Sequence, residues 1–334
     1  MILALNCGSS SLKWAAFEGE RRVDAGSVEG IGVPGGHATH GAAVHAALAG
    51  LPPFSAVGHR LVHGGPHLLE PVRIDGRVLA KLREAVPFAP LHLPQAISVI
   101  EAVAERSPGV PQAACFDTFF HRTLPEVARR FPLPESVAAL GVRRYGFHGL
   151  SYEGVLLGMR VPPRTVIAHL GNGASMCAVK DGACIDTTMG LTPAGGFMMG
   201  TRSGDLDPGV IVFLLETMSR EEISRLVERQ SGLLGVSGTT SDMKTLLASK
   251  EPRARLAVEM FCYQARKAVG ALSAALAGLD ALVFTGGIGE HAAPVRERIL
   301  AGLGHLGRFE VHVFPADEER VIARHLHALF PAAA

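Results

Sequence analysis

The sequence predicts an α/β protein built as two domains, and three observations carry that reading. The chain has 334 residues, more than one small core accommodates and well suited to two domains of ordinary size. Short apolar runs of strand character alternate with longer segments of helical character, the pattern of an α/β architecture. A hairpin with a polar, glycine-bearing tip occurs twice, about half a chain apart.

The first hairpin sets a strand over residues 2–5 against one over 12–17, ending at Gly19, with the tip Asn6-Cys7-Gly8-Ser9-Ser10-Ser11. The second sets 165–170 against 176–179 across Gly171-Asn172-Gly173-Ala174-Ser175, then turns at Asp181-Gly182 into a strand over 183–186. Two tips that offer backbone N–H groups suit the grip of a polyphosphate from two sides; two unrelated hairpins are the plainer alternative. Helices are predicted over 208–228 and 252–277, the second with Leu256, Met260, Val269, Leu272 and Leu276 near one apolar stripe. A strand over 281–285 runs into Gly286-Gly287-Ile288-Gly289-Glu290, followed by a helix over 294–303, a strand over 311–314 and a last helix from Asp317 or Glu318. Residues 30–40, rich in Gly and His, are expected to form an exposed loop, with a metal site at His37 and His40 as the alternative.

Composition narrows the function classes. Apolar residues make up 48% and charged residues 19%, with 39 Gly and 21 Pro, which fits a globular enzyme with many tight turns and not a disordered or fibrous chain. Lys and Arg number 32 against 31 Asp and Glu. No net field exists to hold a nucleic acid or an anionic membrane, although a local anion site stays open. The five cysteines, Cys7, Cys115, Cys177, Cys184 and Cys262, form no C-x-x-C pair, so they read as small buried residues in a reducing compartment. The start MILALNCGSSS lacks a basic leader region and a sufficiently long apolar run. The expectation is a soluble, cytoplasmic protein.

The chain has no G-x-x-x-x-G-K-[ST], no H-E-x-x-H, no G-x-S-x-G, and no G-x-G-x-x-G after the first strand. Polar residues instead cluster with glycine in apolar surroundings: 58–65 around Arg60, Phe116-Asp117-Thr118, 143–149 around His148, and 199–208 around Arg202. Each has a bland reading. Arg60 or Arg202 suits half of a structural ion pair, Asp117 a turn or helix cap, His148 a satisfied core histidine. Two arginines, a carboxylate, a histidine and two glycine-rich hairpins are, as a set, the parts of a phosphoryl-transfer site.

Seven blocks then carry a resemblance, in order along nearly the whole chain: Asn6-x-Gly8-Ser9-Ser10-Ser11-x-Lys13, His59-Arg60-x-Val62-His63-Gly64-Gly65, Phe116-Asp117-Thr118, Arg144-Tyr145-Gly146-Phe147-His148-Gly149, His169 to Ser175, Met199-Gly200-Thr201-Arg202, and Gly286 to Glu290. They resemble the signature blocks of the acetate kinase family, within the acetate and sugar kinase/Hsp70/actin superfamily. The resemblance implies two domains of duplicated ribonuclease H-like (actin-like ATPase) topology with an interdomain cleft. It divides the chain into 1–118 plus 316–334, an N-terminal domain closed by the C-terminal helix, and 119–315, a nucleotide-binding domain.

The implied activity is reversible transfer of the ATP γ-phosphoryl group to acetate, with propionate or another short-chain acid, or a noncatalytic nucleotide-dependent clamp, as alternatives. The implied catalytic residues are Asp117, Arg60, Arg202 and His148, with His148 and Arg202 stabilising the transition state. An acyl pocket maps to Val62, Leu91, Phe147 and Pro193 beside Arg60. ATP contacts map to Lys13, His169, Leu170, Gly171, Asn172, Gly173, Asp242, Met243, Lys244, Gly286, Gly287, Ile288 and Gly289. Asn6 and Glu318 map to the side of a Mg2+ ion, with Mn2+ as a possible substitute; Glu318 also suits a helix N-terminus. A homodimer is implied too.

The sequence departs from the family pattern in places. Leu93 and Ala96 stand where amides are usual, Lys244 where Arg is usual, and Asp317 where Asn is usual, while Ala194, Gly195, Gly196 and His291 also differ. The chain is several dozen residues shorter than usual, mainly before Gly58 and between Glu290 and Pro315.

Overall fold

The structure, a computed structural model, describes residues 1–8 and 11–331; Ser9 and Ser10 of the first tip lie outside the described residues. The chain divides into two units: Met1–Arg122 with Phe147–Gly154 and the stretch from Asp317 onward, and Thr123–Gly146 with Val155–Ala316. Residues 147–154 therefore belong to unit 1.

In unit 1 the strands are β1 (Ile2–Cys7), β2 (Ser11–Glu18), β3 (Arg21–Glu29), β4 (Ala56–Leu61), β5 (Val72–Arg73) and β6 (Gln112–Phe116). They form one sheet in the order β3-β2-β1-β4-β6-β5. The first three make an antiparallel meander, β4 runs parallel to β1, and β6 runs parallel to β4. Every residue of β1 is buried, as expected for a strand covered on both faces. Strand alternation sorts its side chains: Ile2 and Ala4, with Ala113 and Cys115 of β6, meet Val321, Ile322 and Leu326 of the C-terminal helix Glu318–Leu329. Leu3, Leu5 and Val57 turn the other way into a core with Val44 and Val103, from the helices His40–Ala49 and Leu93–Arg106.

Unit 2 holds β7 (Arg164–Leu170), β8 (Ala174–Lys180), β9 (Ala183–Thr187), β10 (Ala281–Thr285) and β11 (Glu310–Val313). Its sheet order is β11-β10-β7-β8-β9, again a three-stranded antiparallel meander joined to two parallel strands. The duplicated hairpin seen in the sequence is thus the start of a duplicated ribonuclease H-like topology.

Three expectations need correction. Residues 208–228 are two helices, Pro208–Leu214 and Arg220–Arg229, because Ser219 is extended and starts the second with a capping box to Glu222. On the helix Pro252–Ala275, Val269 and Leu272 are buried as expected, but Leu256 is 49% exposed, and towards the N-terminus the buried stripe runs through Ala257, Phe261 and Ala265. The 30–40 segment is not wholly exposed: Ile31 and His40 are buried, and the His40 Nε2–H donates to the Gly8 carbonyl at 2.9 Å. All five cysteines are buried. No helix among the described residues is long and apolar enough to cross a membrane.

Candidate active site

Strand alternation assembles the charged half of the site. Asn6 continues the Ile2–Ala4 face of β1, Arg60 the Gly58 face of β4, and Asp117 the Ala113–Cys115 face of β6. A Cβ on Gly58 would meet Ile322 at 2.4 Å, which puts that face against the C-terminal helix. Three polar side chains at the carboxyl ends of three parallel strands therefore converge on the N-terminus of that helix, where Glu318 is the first residue after the cap Asp317.

Arg60 is the hub. Its Nε and Nη2 grip the Asp117 carboxylate as a fork, at 3.0 Å to Oδ1 and 2.7 Å to Oδ2, and its Nη1 reaches Asn6 Oδ1 at 3.0 Å and Glu318 Oε2 at 3.2 Å. The Asn6 Nδ2 donates to Glu318 Oε2 at 2.8 Å and to Glu319 Oε1 at 3.0 Å. Burial pushes the Asp117 carboxyl up, with the Arg60 charge pulling it back. Burial also disfavours the Arg60 charge, but Asp117, Glu318 and Glu319 outweigh it and hold the guanidinium firmly protonated. Asp117 has 1% of its side chain exposed and Arg60 17%, so the pair is largely desolvated, the carboxylate more fully than the arginine.

His148 enters beside this cluster in a left-handed backbone conformation, φ +57°, uncommon outside glycine. The next residue explains how that turn is held. The Gly149 N–H donates to the Asp117 carbonyl at 3.0 Å, and a Cβ there would lie 2.1 Å from the same oxygen. Phe147, fully buried, sets its ring edge-on to His63 at 5.4 Å. Val62 is buried and Leu91 half-buried, while Lys13 is exposed on β2.

Unit 2 carries glycine-lined turns and, among the predicted catalytic residues, Arg202. The β7–β8 tip closes on itself, the Gly171 N–H donating to the Gly173 carbonyl at 3.0 Å. The Arg202 loop is tied to that tip by the Gly200 N–H to the Asn172 carbonyl at 2.9 Å, and a Cβ on Gly200 would fall 1.9 Å from Asn172 Oδ1. Arg202 Nη1 donates to the Pro193 carbonyl at 3.1 Å, so the structure brings these two predicted residues together. At the end of β10, parallel to β7, Gly286 opens the short helix Gly286–His291 that includes Gly287, Ile288 and Gly289. Gly286 has φ +76°, and a Cβ on it would meet the Leu170 carbonyl at 2.9 Å and His169 Nε2 at 3.1 Å. Asp242 is the exposed N-cap of the helix Met243–Ala248; hydrogen bonds from Thr245 hold its carboxyl below the usual range, and Lys244 lies exposed in the first turn.

Sequence reasoning did not single out Glu319 or His121. Glu319 is distinguishable from Glu318 only once the helix phase is known. His121, four residues after Asp117, is buried and its Nε2–H donates to the Phe147 carbonyl at 3.0 Å.

Two ribonuclease H-like units, one ending in a buried charge cluster and the other in glycine-lined turns, define a kinase of the actin-like ATPase class. The chain belongs to the Acetokinase family, whose model matches residues 43–323. It is 44% identical over 391 aligned residues to the acetate kinase of Rhodopseudomonas palustris (strain ATCC BAA-98 / CGA009), covering 98% of each chain. That aligned length exceeds the 334 residues present, in keeping with shortened segments. Among solved structures it resembles Porphyromonas gingivalis acetate kinase, at 37% identity and a TM-score of 0.85 over 98% of this chain and 99% of that one. It also resembles a propionate kinase from Francisella tularensis, at 34% identity and a TM-score of 0.90 over the same shares. The family resemblance read from the seven sequence blocks is borne out.

Proposed function

We propose that this chain transfers the γ-phosphoryl group of ATP to acetate, reversibly, giving acetyl phosphate and ADP. The observation that carries the proposal is the Arg60 cluster: a forked guanidinium held by Asp117, Asn6 and Glu318 at the ends of parallel strands, in a member of the Acetokinase family. Acetate is ionised at neutral pH, so no general base is needed. A carboxylate oxygen attacks the γ-phosphorus, the bond to the bridging oxygen breaks, and the electron pair leaves on the β-phosphate of ADP.

The chain's task is to hold charge in place as that bond breaks. Arg60 and Arg202 neutralise the equatorial oxygens and His148 donates a further hydrogen bond, each preorganised so that little reorganisation is required. Asp117 fixes the Arg60 fork, which is why an ion pair of structural appearance serves the chemistry here. Unit 2 supplies the nucleotide contacts, from His169 through Gly173 and from Gly286 through Gly289, with Asp242, Met243 and Lys244 further along and Lys13 from unit 1.

The donor set fits a hard divalent cation. Asp117, Glu318 and Glu319 face one guanidinium, three carboxylates against one positive charge, and Asn6 adds an amide oxygen. Asn6 and Glu318 would hold Mg2+, or Mn2+ in its place; when bound it neutralises phosphate charge. No three His, Cys, Asp or Glu side chains form a ready ligand set among the described residues.

Val62, Leu91, Phe147 and Pro193 are the proposed alkyl contacts. One methylene in such a pocket is worth about 1–3 kcal/mol, and the likeness to a propionate kinase keeps propionate as the second reading. We also propose a cytoplasmic homodimer. The apolar helix Pro208–Leu214 supports self-association, since it buries no residue and leaves Val212 65% and Phe213 73% exposed.

An ATP-dependent hydroxamate assay across acetate, propionate and butyrate tests the reading. Trapped acetyl phosphate with the highest kcat/KM for acetate supports it; no trapped product with any acid refutes it.

A further inference from the structure

A second buried histidine stands behind the proposed reaction centre. His121 lies in the short helical turn Phe119–Thr123 with 2% of its surface exposed. Its ring is wedged edge-on between Phe120, at 5.5 Å, and Tyr152, at 5.8 Å. A carbonyl only accepts, so the 3.0 Å contact to Phe147 makes His121 Nε2 the protonated nitrogen.

The segment that His121 holds is the one whose conformation is costly. Gly146 and His148 flank Phe147, both with positive φ, at +76° and +57°. A non-glycine residue in that region persists when its surroundings over-determine it, at a cost of roughly 1–3 kcal/mol. Here three bonds do so: Phe147 O accepts from His121, Gly149 N–H donates to Asp117 O, and His148 O accepts from the Tyr152 N–H at 3.1 Å. Only the last is an ordinary helix bond; the second ties Gly149 to Asp117 itself. The first is the one that ties the turn to the element following Asp117, and a buried carbonyl deprived of it loses its partner.

We propose that His121 is a positioning residue for phosphoryl transfer: through Phe147 it locks the left-handed turn that aims the His148 imidazole. The inference rests on the reading of His148 as a transition-state donor. Acting through the Phe147 carbonyl, it is expected on removal to lower kcat by letting His148 wander, without weakening nucleotide or acid binding to a similar degree.

The test is a double-mutant cycle read by hydroxamate trapping with acetate and ATP. His121→Gln keeps an N–H donor near the Nε2 position; His121→Met has similar length and no donor. His121→Met is expected to lower kcat by about 10- to 100-fold with KM values within about threefold, and His121→Gln to recover most of that loss. In a His148→Ala background, His121→Met should cost less than about threefold more, because the residue it serves is gone. Equal losses in Gln and Met variants, or a full additional loss in the His148→Ala background, overturn the positioning role and leave His121 a packing residue. A His148→Ala enzyme with parental kcat instead overturns the site reading beneath it, so the two failures are distinguishable. Should His121→Met fail to fold, the His121→Gln variant alone carries the test: it must keep kcat within about threefold of the parent.

Discussion

The two units share a five-strand order, to which unit 1 adds β5, and their strands end in contrasting ways. In unit 1 the ends of β1, β4 and β6 carry Asn6, Arg60 and Asp117, three polar side chains tied to one another and to Glu318. In unit 2 the corresponding ends of β7 and β10 carry Leu170 and Thr285, each running into glycine at Gly171 and Gly286. The difference fits the proposed division of labour. Buried charge is costly and must be held by mutual pairing, which suits a centre where charge develops. Turns without side chains bring backbone close to a polyphosphate and cost no desolvated charge.

Five substitutions break or sharpen that contrast. The largest effect is expected at the arginines. Replacing Arg60 or Arg202 by alanine should lower kcat by roughly 10³-fold or more, as for other charge-stabilising arginines in phosphoryl transfer. Arg60→Ala should also destabilise the more strongly, by about 3–5 kcal/mol, since it leaves the fully buried Asp117 without its forked partner, whereas the carboxylate beside Arg202, Glu228, is only half-buried. Rate assays beside chemical denaturation check both; equal stability loss in the two variants would erase the contrast.

Acid sensitivity should track unit 1. His59 sits on the far face of β4 from Arg60, with Nε2 2.6 Å from Gln112 Oε1 and Nδ1 buried without a partner. Burial lowers its pKa from 6.5 to about 4. The unfolded chain therefore binds the extra proton first, and His59's contribution to stability is present above pH 6.5 and lost as pH falls through 4. That shift corresponds to about 3 kcal/mol. Denaturation between pH 7 and 4 should show a steeper loss for the parent than for His59→Gln, and parallel curves would remove this source.

In unit 2, Gly286→Ala should raise the KM for ATP by about tenfold while the KM for acetate moves less than about threefold, because a Cβ strains a φ of +76° beside Leu170 and His169. Steady-state kinetics in both substrates decides it. The smallest effect is expected at Val62, where Val62→Ala should shift the kcat/KM ratio toward propionate or butyrate, with acetate losing around 1 kcal/mol of contact. A constant ratio with a lower melting temperature would make Val62 a core residue.

Much of this was legible in the sequence, for reasons that also mark where legibility stops. The two hairpins and β10 were readable because apolar runs bounded by glycine fix strands locally. Phase alone then predicts that Asn6, Arg60 and Asp117 share a face once their strands are parallel neighbours, but nothing local says that they are. The break at Ser219 was missed because residues 208–228 stay helix-compatible on either side of a cap. The exposure of Leu256 was missed because two stripes on one long helix are nearly equivalent until a sheet covers one. His121 was invisible because the carbonyl it bonds lies 26 residues away in the sequence.

The central claim, that the Arg60 cluster serves the chemistry and the glycine turns of unit 2 serve the nucleotide, is tested most directly by Asp117→Asn. The substitution keeps the side-chain shape and removes the charge that fixes the Arg60 fork. Calorimetric titration with ATP and hydroxamate trapping on the same preparation should give a nucleotide Kd within about threefold of the parent and a kcat lower by roughly 10³-fold. Loss of ATP binding in parallel with kcat, or a kcat near the parental value, would contradict it.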